Sequence, residues 1–407
     1  MPPLSSHPLH ASLYLLRRGL LPLLLSAAWT SCQPGDAAVE SAQVVEGVFH
    51  HKVHLVKGPW WIHVLEIDLP RVWERGIRLQ TVNAPEGGAE KTSVMVGEAL
   101  AGINGDFFGY QNGRARVAGL QIRDGCLLQR PHGRSAFAIS RDGLPLIGVF
   151  DLEAGLITAA GETLPIAGFG HEPKSTGLSF YNHFSPAFHD SVHAEIGFQL
   201  QGLEEGGAVN DTVSARVVQV RRRAWPLLLE RNQWLVAAGA EYAYADRIAP
   251  GDTVHLFLRL LPSGSADPTR DRLIEAMGGG PRILRDGVVS VENAEERLGG
   301  SFAADRHPRT AIGYSQDGRS LFLVVVDGRQ PGYSVGMSLE ELASFMRTRL
   351  SRFTEARENA YQALNLDGGG STTMVVRQQV VNSPSDQTGE RPVANALLLV
   401  EQGGISR

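Results

Sequence analysis

The chain has 407 residues, 43% hydrophobic and 20% charged, ordinary values for a globular protein with room for one large or two average domains. A net charge of −5 offers no general attraction to nucleic acid, which needs clustered positive charge. Two cysteines are too few for a disulfide scaffold.

At the N-terminus, Arg17 and Arg18 precede the apolar run "GLLPLLLSAAW", which has the anatomy of a secretory leader and is too short to span a bilayer. The run ends at "WTSC", so residues 1–32 read as a lipoprotein-type leader with Cys32 as the lipidated residue. An exported protein at the periplasmic or cell-surface side of an envelope follows, held to the membrane by its N-terminal lipid alone. Residues 33–45, "QPGDAAVESAQVV", lack aromatics and read as a tether. The other cysteine, Cys126, reads as a buried, inert thiol.

From there the chain is rich in strand signals. "HHKVHLVKG", "WWIHVLEIDL" and "IRLQTVNA" are apolar or alternating runs bounded by turn residues, and further strands are expected at 136–140, 145–150, 213–220, 233–238 and 253–260. Between them, "AGINGDFFGY" sets Asn104 and Asp106 among apolar neighbours, where polar groups are costly unless hydrogen-bonded or lining a pocket. The basic run Arg221-Arg222-Arg223 reads as a solvated strand edge. "HDSVH" places His189 and His193 four apart, with His171 and His183 nearby. On a helix that spacing could hold zinc for a hydrolase, but the flanking sequence reads as loop and strand.

The last hundred residues change character. "SLFLVVVDG" (320–328) is a strand apolar on both faces that ends in Asp-Gly. "SLEELASFMRTRL" (338–350) is a helix with Ser338 and Glu341 as a capping box and Leu339, Leu342, Met346 and Leu350 on one face. "YQALNLDGGG" supplies a second buried strand, also ending in Asp-Gly. Strand, helix, strand is a βαβ unit whose two strands run in the same direction. Asp327 and Asp367 therefore stand at one sheet edge, able to do acid–base chemistry or to hold Ca²⁺ or Mg²⁺. Arg309, Arg329 and Arg391 lie beside Gly-rich turns, and guanidinium forks suit phosphate oxygens. The glycine runs 278–280 and 368–370 lack the lysine of a P-loop, but their backbone amides could form an anion nest.

Taken together, "INGDFF", "MGGGPRILRDG", "HPRTAIGYSQDG", "VVVDGRQPGYSVGMSLEELA", "ALNLDGGGSTTMVV" and "NSPSDQTGERPVANALLL" resemble the phosphodiester glycosidase family. The resemblance spans residues 45 to 400; the longer linker "SRFTEARENAY" and the histidine-bearing stretch 171–193 depart from it. It implies one catalytic domain over 46–402, β-rich and of α+β or mixed α/β class, with the C-terminal βαβ unit feeding a mixed sheet. It implies a pocket of Asn104, Asp106, Arg309, Thr310, Asp327, Arg329, Asp367, Gly368, Gly369, Gly370, Ser371, Thr372, Ser385, Asp386 and Arg391. The implied reaction is hydrolysis of a sugar-1-phosphodiester at the sugar–phosphate bond, on an envelope or extracellular phosphoglycan. In that reaction Asp367, Asp327 and, third, Asp106 are the candidate catalytic carboxylates, and Arg309, Arg391 and the 368–371 turn hold the phosphate. A non-catalytic, surface-anchored glycan- or exopolysaccharide-binding protein is the alternative.

Overall fold

A computed structural model describes residues 36–402 apart from 86–87, 112, 172, 186–193, 205–208, 223–227, 244 and 263–271. Cys32, His189 and His193 lie outside the described residues. Three sheets carry most of the chain. The first has eight strands in the order Ala37–Val45, Val48–Leu55, Trp60–Asp68, Ser320–Val326, Arg309–Tyr314, Gln362–Asn365, Arg282–Arg285 and Val288–Val289. Its opening strand corrects the tether: 37–45 pairs antiparallel with 48–55 over its whole length. It alternates between half-buried and exposed side chains as an edge strand does, so its apolar signal in sequence is weak.

Strand Ser320–Val326 is apolar throughout because both faces are covered. Leu321, Leu323 and Val325 enter one core, while Phe322, Val324 and Val326 enter another. Burying a side chain of this size contributes about 1.5–3 kcal/mol. Helix Leu339–Thr348 covers the second of these cores with Leu339, Leu342, Ala343, Phe345 and Met346. It starts at the expected Ser338–Glu341 capping box and stops at Thr348, leaving Leu350 in a 3₁₀ turn. The strands before and after this helix run in the same direction, as the βαβ reading requires. They are not neighbours, since Arg309–Tyr314 lies between them and is antiparallel to both.

The second sheet has twelve strands around its own apolar interior and contains every strand expected between 136 and 260. Strand Gly168–Phe169 runs parallel to Leu178–Tyr181, which makes this sheet the mixed one. Arg221 and Arg222 end strand Thr212–Arg222. Cys126 is half-buried rather than buried, and burial pushes its thiol up to about 11, so it stays protonated near neutral pH.

The third sheet orders Gln379–Val380, Met374–Val376, Ala101–Asn104, Asn395–Glu401 and Ile77–Asn83. Ile103, Met374 and Leu397 pack against Leu65, Leu323 and Val325 of the first sheet. This packing brings the end of strand 101–104, the end of 362–365 and the start of 395–401 to one place, and the candidate site lies there. Among the described residues, no helix is long and apolar enough to cross a membrane.

Candidate active site

Asn104 is fully buried, and both ends of its side-chain amide are bonded. Its Nδ2 donates to the Asp367 carbonyl at 2.7 Å. Its Oδ1 accepts from the Thr310 hydroxyl at 2.8 Å and the Thr373 amide at 3.1 Å. The Asp367 amide donates back to the Gly105 carbonyl, and Thr310 also lies 3.4 Å from the Thr372 hydroxyl. Asn104, Thr310 and Thr372 are thus the staples that fix Asp106 beside Asp367, rather than groups presented to a ligand.

Asp106 is 2% exposed. One carboxylate oxygen accepts the Gly119 amide at 2.6 Å, while Oδ1 is buried without a partner. Burial, reinforced by the charge of Asp367, pushes its carboxyl up to about 7 against the pull of backbone amides and Arg134. The backbone comes this close because Gly278 has no side chain: a Cβ there would sit 2.5 Å from Asp106 Oδ2. Asp367 is partly open to solvent. Burial raises its carboxyl to about 6, opposed by the Ser371 hydroxyl, Arg391 and the Gly368 amide. Two neighbouring carboxyls with raised and different affinities for a proton are the chemistry expected of an acid–base pair.

The rim is cationic. The Arg391 guanidinium holds Asp386 through Nε at 2.9 Å and packs so closely on the turn that a Cβ on Gly370 would lie 2.4 Å from its Nη2. Asp386 thus orients Arg391, with the Thr388 amide and hydroxyl completing its bonds. Arg329 is exposed, adopts φ +59° and reaches over Gly369 toward His307 Nδ1. Ser385 buries a hydroxyl that meets no partner.

Several expectations change. Arg309 is 1% exposed, and its Nε and Nη2 bond the carbonyls of Met337, Phe302 and Asp305. It anchors the backbone there, not a phosphate. The 368–370 turn is not an open amide nest: the amides of Gly369, Ser371 and Thr372 donate to the carbonyls of Pro308, Gly368 and Gly369. In the other glycine run, the Gly279 and Gly280 amides donate to the Ser135 and Asn365 carbonyls. Asp327 is fully buried in a different network: Oδ1 accepts from Asn382 Nδ2 and the Ser383 amide, and Oδ2 from the Tyr333 hydroxyl. It is Asp106, not Asp327, that shares the site with Asp367. Asp327 does not fit a cation, because donors occupy both oxygens. Asp367 faces Arg391, and among the described residues no group of three or more His, Cys, Asp and Glu side chains could hold a metal. The His183 ring meets that of Phe184 at a tilt of 38°, with centroids 3.9 Å apart.

Sequence reasoning missed Asn395, whose Oδ1 accepts the Asp106 amide at 2.9 Å. Its signal was an Asn at the head of the buried run "NALLLV". It also missed Arg134, which lies 5.8 Å above the Phe107 ring beside the site. Phe107 meets Phe302 edge-on at 5.8 Å. This pair offers partly exposed aromatic surface, of the kind that packs on a sugar face, next to the carboxyl pair.

Comparison with known proteins bears on the fold and on the family. Residues 208–400 match the family model for phosphodiester glycosidase. Mouse N-acetylglucosamine-1-phosphodiester alpha-N-acetylglucosaminidase is 30% identical over 122 residues, 28% of this chain and 21% of the mouse protein. The chain thus spans about a fifth of that relative's length. Among solved structures, a hypothetical protein from Synechocystis superposes with TM-score 0.64 at 21% identity, covering 89% of this chain and 63% of that one. A putative exported protein from Burkholderia pseudomallei gives 0.59 at 25% identity, covering 84% and 74%. The same β-rich fold is therefore found over most of the chain, and residues 208–400 are similar to the phosphodiester glycosidase family.

Proposed function

We propose that the protein hydrolyses a sugar-1-phosphodiester at the sugar–phosphate bond, releasing free sugar and leaving a phosphomonoester on a glycan. The observation that carries this reading is the Asp106–Asp367 pair, with its raised proton affinities, under a rim of Arg391 and Arg329. A phosphate leaving group carries its own negative charge away and needs little protonation, so two guanidinium groups can stabilise its departure. The oxocarbenium-like centre left behind needs a carboxylate on its other side. Asp367, partly open to solvent and ionised above about pH 6, serves as that group, as nucleophile or as base for water. Asp106, protonated up to about pH 7, holds the proton that the site must pass on or take back. Phe107 and Phe302 cover one face of the sugar. Export with lipidation at Cys32 would deliver this activity to envelope phosphoglycans.

The test is hydrolysis of the methyl ester of N-acetylglucosamine 1-phosphate in ¹⁸O-labelled water. Label in the sugar, with methyl phosphate as the other product, is expected. Label in the phosphate would mean a phosphodiesterase. Tight binding of the ester with no turnover would favour a glycan-binding protein instead.

A further inference from the structure

A cavity of about 270 Å³ opens beside the hairpin that leaves the Asp106 loop. Strands Phe108–Gln111 and Arg114–Val117 form that hairpin. Alternation turns Ala115 and Val117 onto Ala394 and Phe108, so Arg114 and Arg116 project the other way. Arg123 enters the same cavity from strand Gln121–Arg123 and lies 4.8 Å over the Phe184 ring. Three guanidinium groups thus line one cavity, and no carboxylate stands among its described lining residues.

The three arginines are half-buried. Arg116 and Arg123 each bury an Nε that finds no acceptor. The neighbouring polar groups do not supply one, because Asn83 and Gln121 bond each other reciprocally at 3.0 and 2.7 Å. Buried donors without acceptors are costly, and like charges brought together add to the cost. Burial and the charge of Arg114 lower the affinity of Arg116 for its proton. An oxyanion between the forks would remove both penalties, since phosphate and carboxylate oxygens match guanidinium geometry.

We propose that this cavity binds an oxyanion, phosphate or carboxylate, carried on a saccharide. The oxyanion follows from the three arginines alone; the saccharide part rests on the glycosidase reading. Segment 106–119 connects the two places: the Ala118 amide bonds the Phe107 carbonyl, and the Gly119 amide bonds Asp106. A glycan with anionic groups at intervals could place one at Asp367 and another here.

The experiment is calorimetric titration of the full chain with inorganic phosphate, glucose 6-phosphate, glucuronate and neutral glucose. The probe set separates phosphate from carboxylate, and either is expected to saturate while glucose does not. Arg116→Gln with Arg123→Gln should weaken binding at least about tenfold, and Arg114→Gln, a single change at an arginine with no buried unpartnered nitrogen, should weaken it less. Removing two charges elsewhere, by Arg221→Gln with Arg222→Gln, should leave binding unchanged. The Arg391→Gln variant should keep this binding class, so a failure of the catalytic reading would not be confused with a failure of this one. No saturable binding of any anion, or equal affinity in the Arg116/Arg123 double variant with an unaltered melting temperature, would overturn the proposal.

Discussion

Asp327 and Asp367 look alike in sequence. Each closes a buried strand, each precedes glycine, and the two strands run in the same direction with one strand between them. Their surroundings differ. Asn382, Ser383 and Tyr333 donate to Asp327, and no part of it meets solvent. Asp367 is partly open, faces Arg391 and shares its charge with Asp106. Burial raises the proton affinity of both to about 6, so a shifted proton affinity alone does not mark the reacting group. What separates them is which groups spend the carboxylate oxygens, and whether a substrate can reach them.

The comparison can be broken at either residue. The largest effect is expected at Asp367: Asp367→Asn should lower kcat by about 10³-fold or more with a melting temperature no lower than the parent's, the pattern of a lost reacting group. Asp327→Ala should do the reverse. It leaves buried donors of Asn382, Ser383 and Tyr333 without an acceptor, costing about 3 kcal/mol in a denaturant titration. Arg391→Lys keeps the charge but loses the fork held by Asp386 and Gly370; sugar release should fall about 10- to 100-fold.

The smallest effect is the dependence on pH. With Asp367 required ionised and Asp106 protonated, kcat/KM should rise through about pH 6 and fall above about pH 7, by no more than about tenfold per unit. The same groups act on stability. Their folded proton affinities lie above the ordinary carboxylate range, so their contribution is complete below the unfolded pKa and is lost as pH rises through the folded value. The protein should therefore be less stable at pH 8 than at pH 5, and Asp106→Asn should flatten that slope in thermal melts.

Much of the frame was legible because it rests on local patterns. The Ser338–Glu341 capping box and the two-faced strand 320–326 need only neighbours in sequence to be read. The edge strand 37–45 was misread because a half-exposed strand carries little apolar signal. Arg309 was misassigned for a different reason. Its partners are backbone carbonyls of 302, 305 and 337, and carbonyls are present at every residue, so sequence does not distinguish them. The glycine turn was open to the same error: its amides are spent on Pro308 and on the turn itself. Pairing Asp106 with Asp367, and bringing Asn395 and Arg134 beside them, depends on how the sheets pack, which no local motif encodes.

The most direct test is to measure sugar release and thermal melting together for Asp367→Asn and Asp327→Asn on one N-acetylglucosamine-1-phosphodiester. The account predicts an intact melt with activity lost for Asp367→Asn, and a lowered melt with activity kept per folded molecule for Asp327→Asn. Full activity in Asp367→Asn, or loss of turnover in an Asp327→Asn protein that melts like the parent, would contradict it.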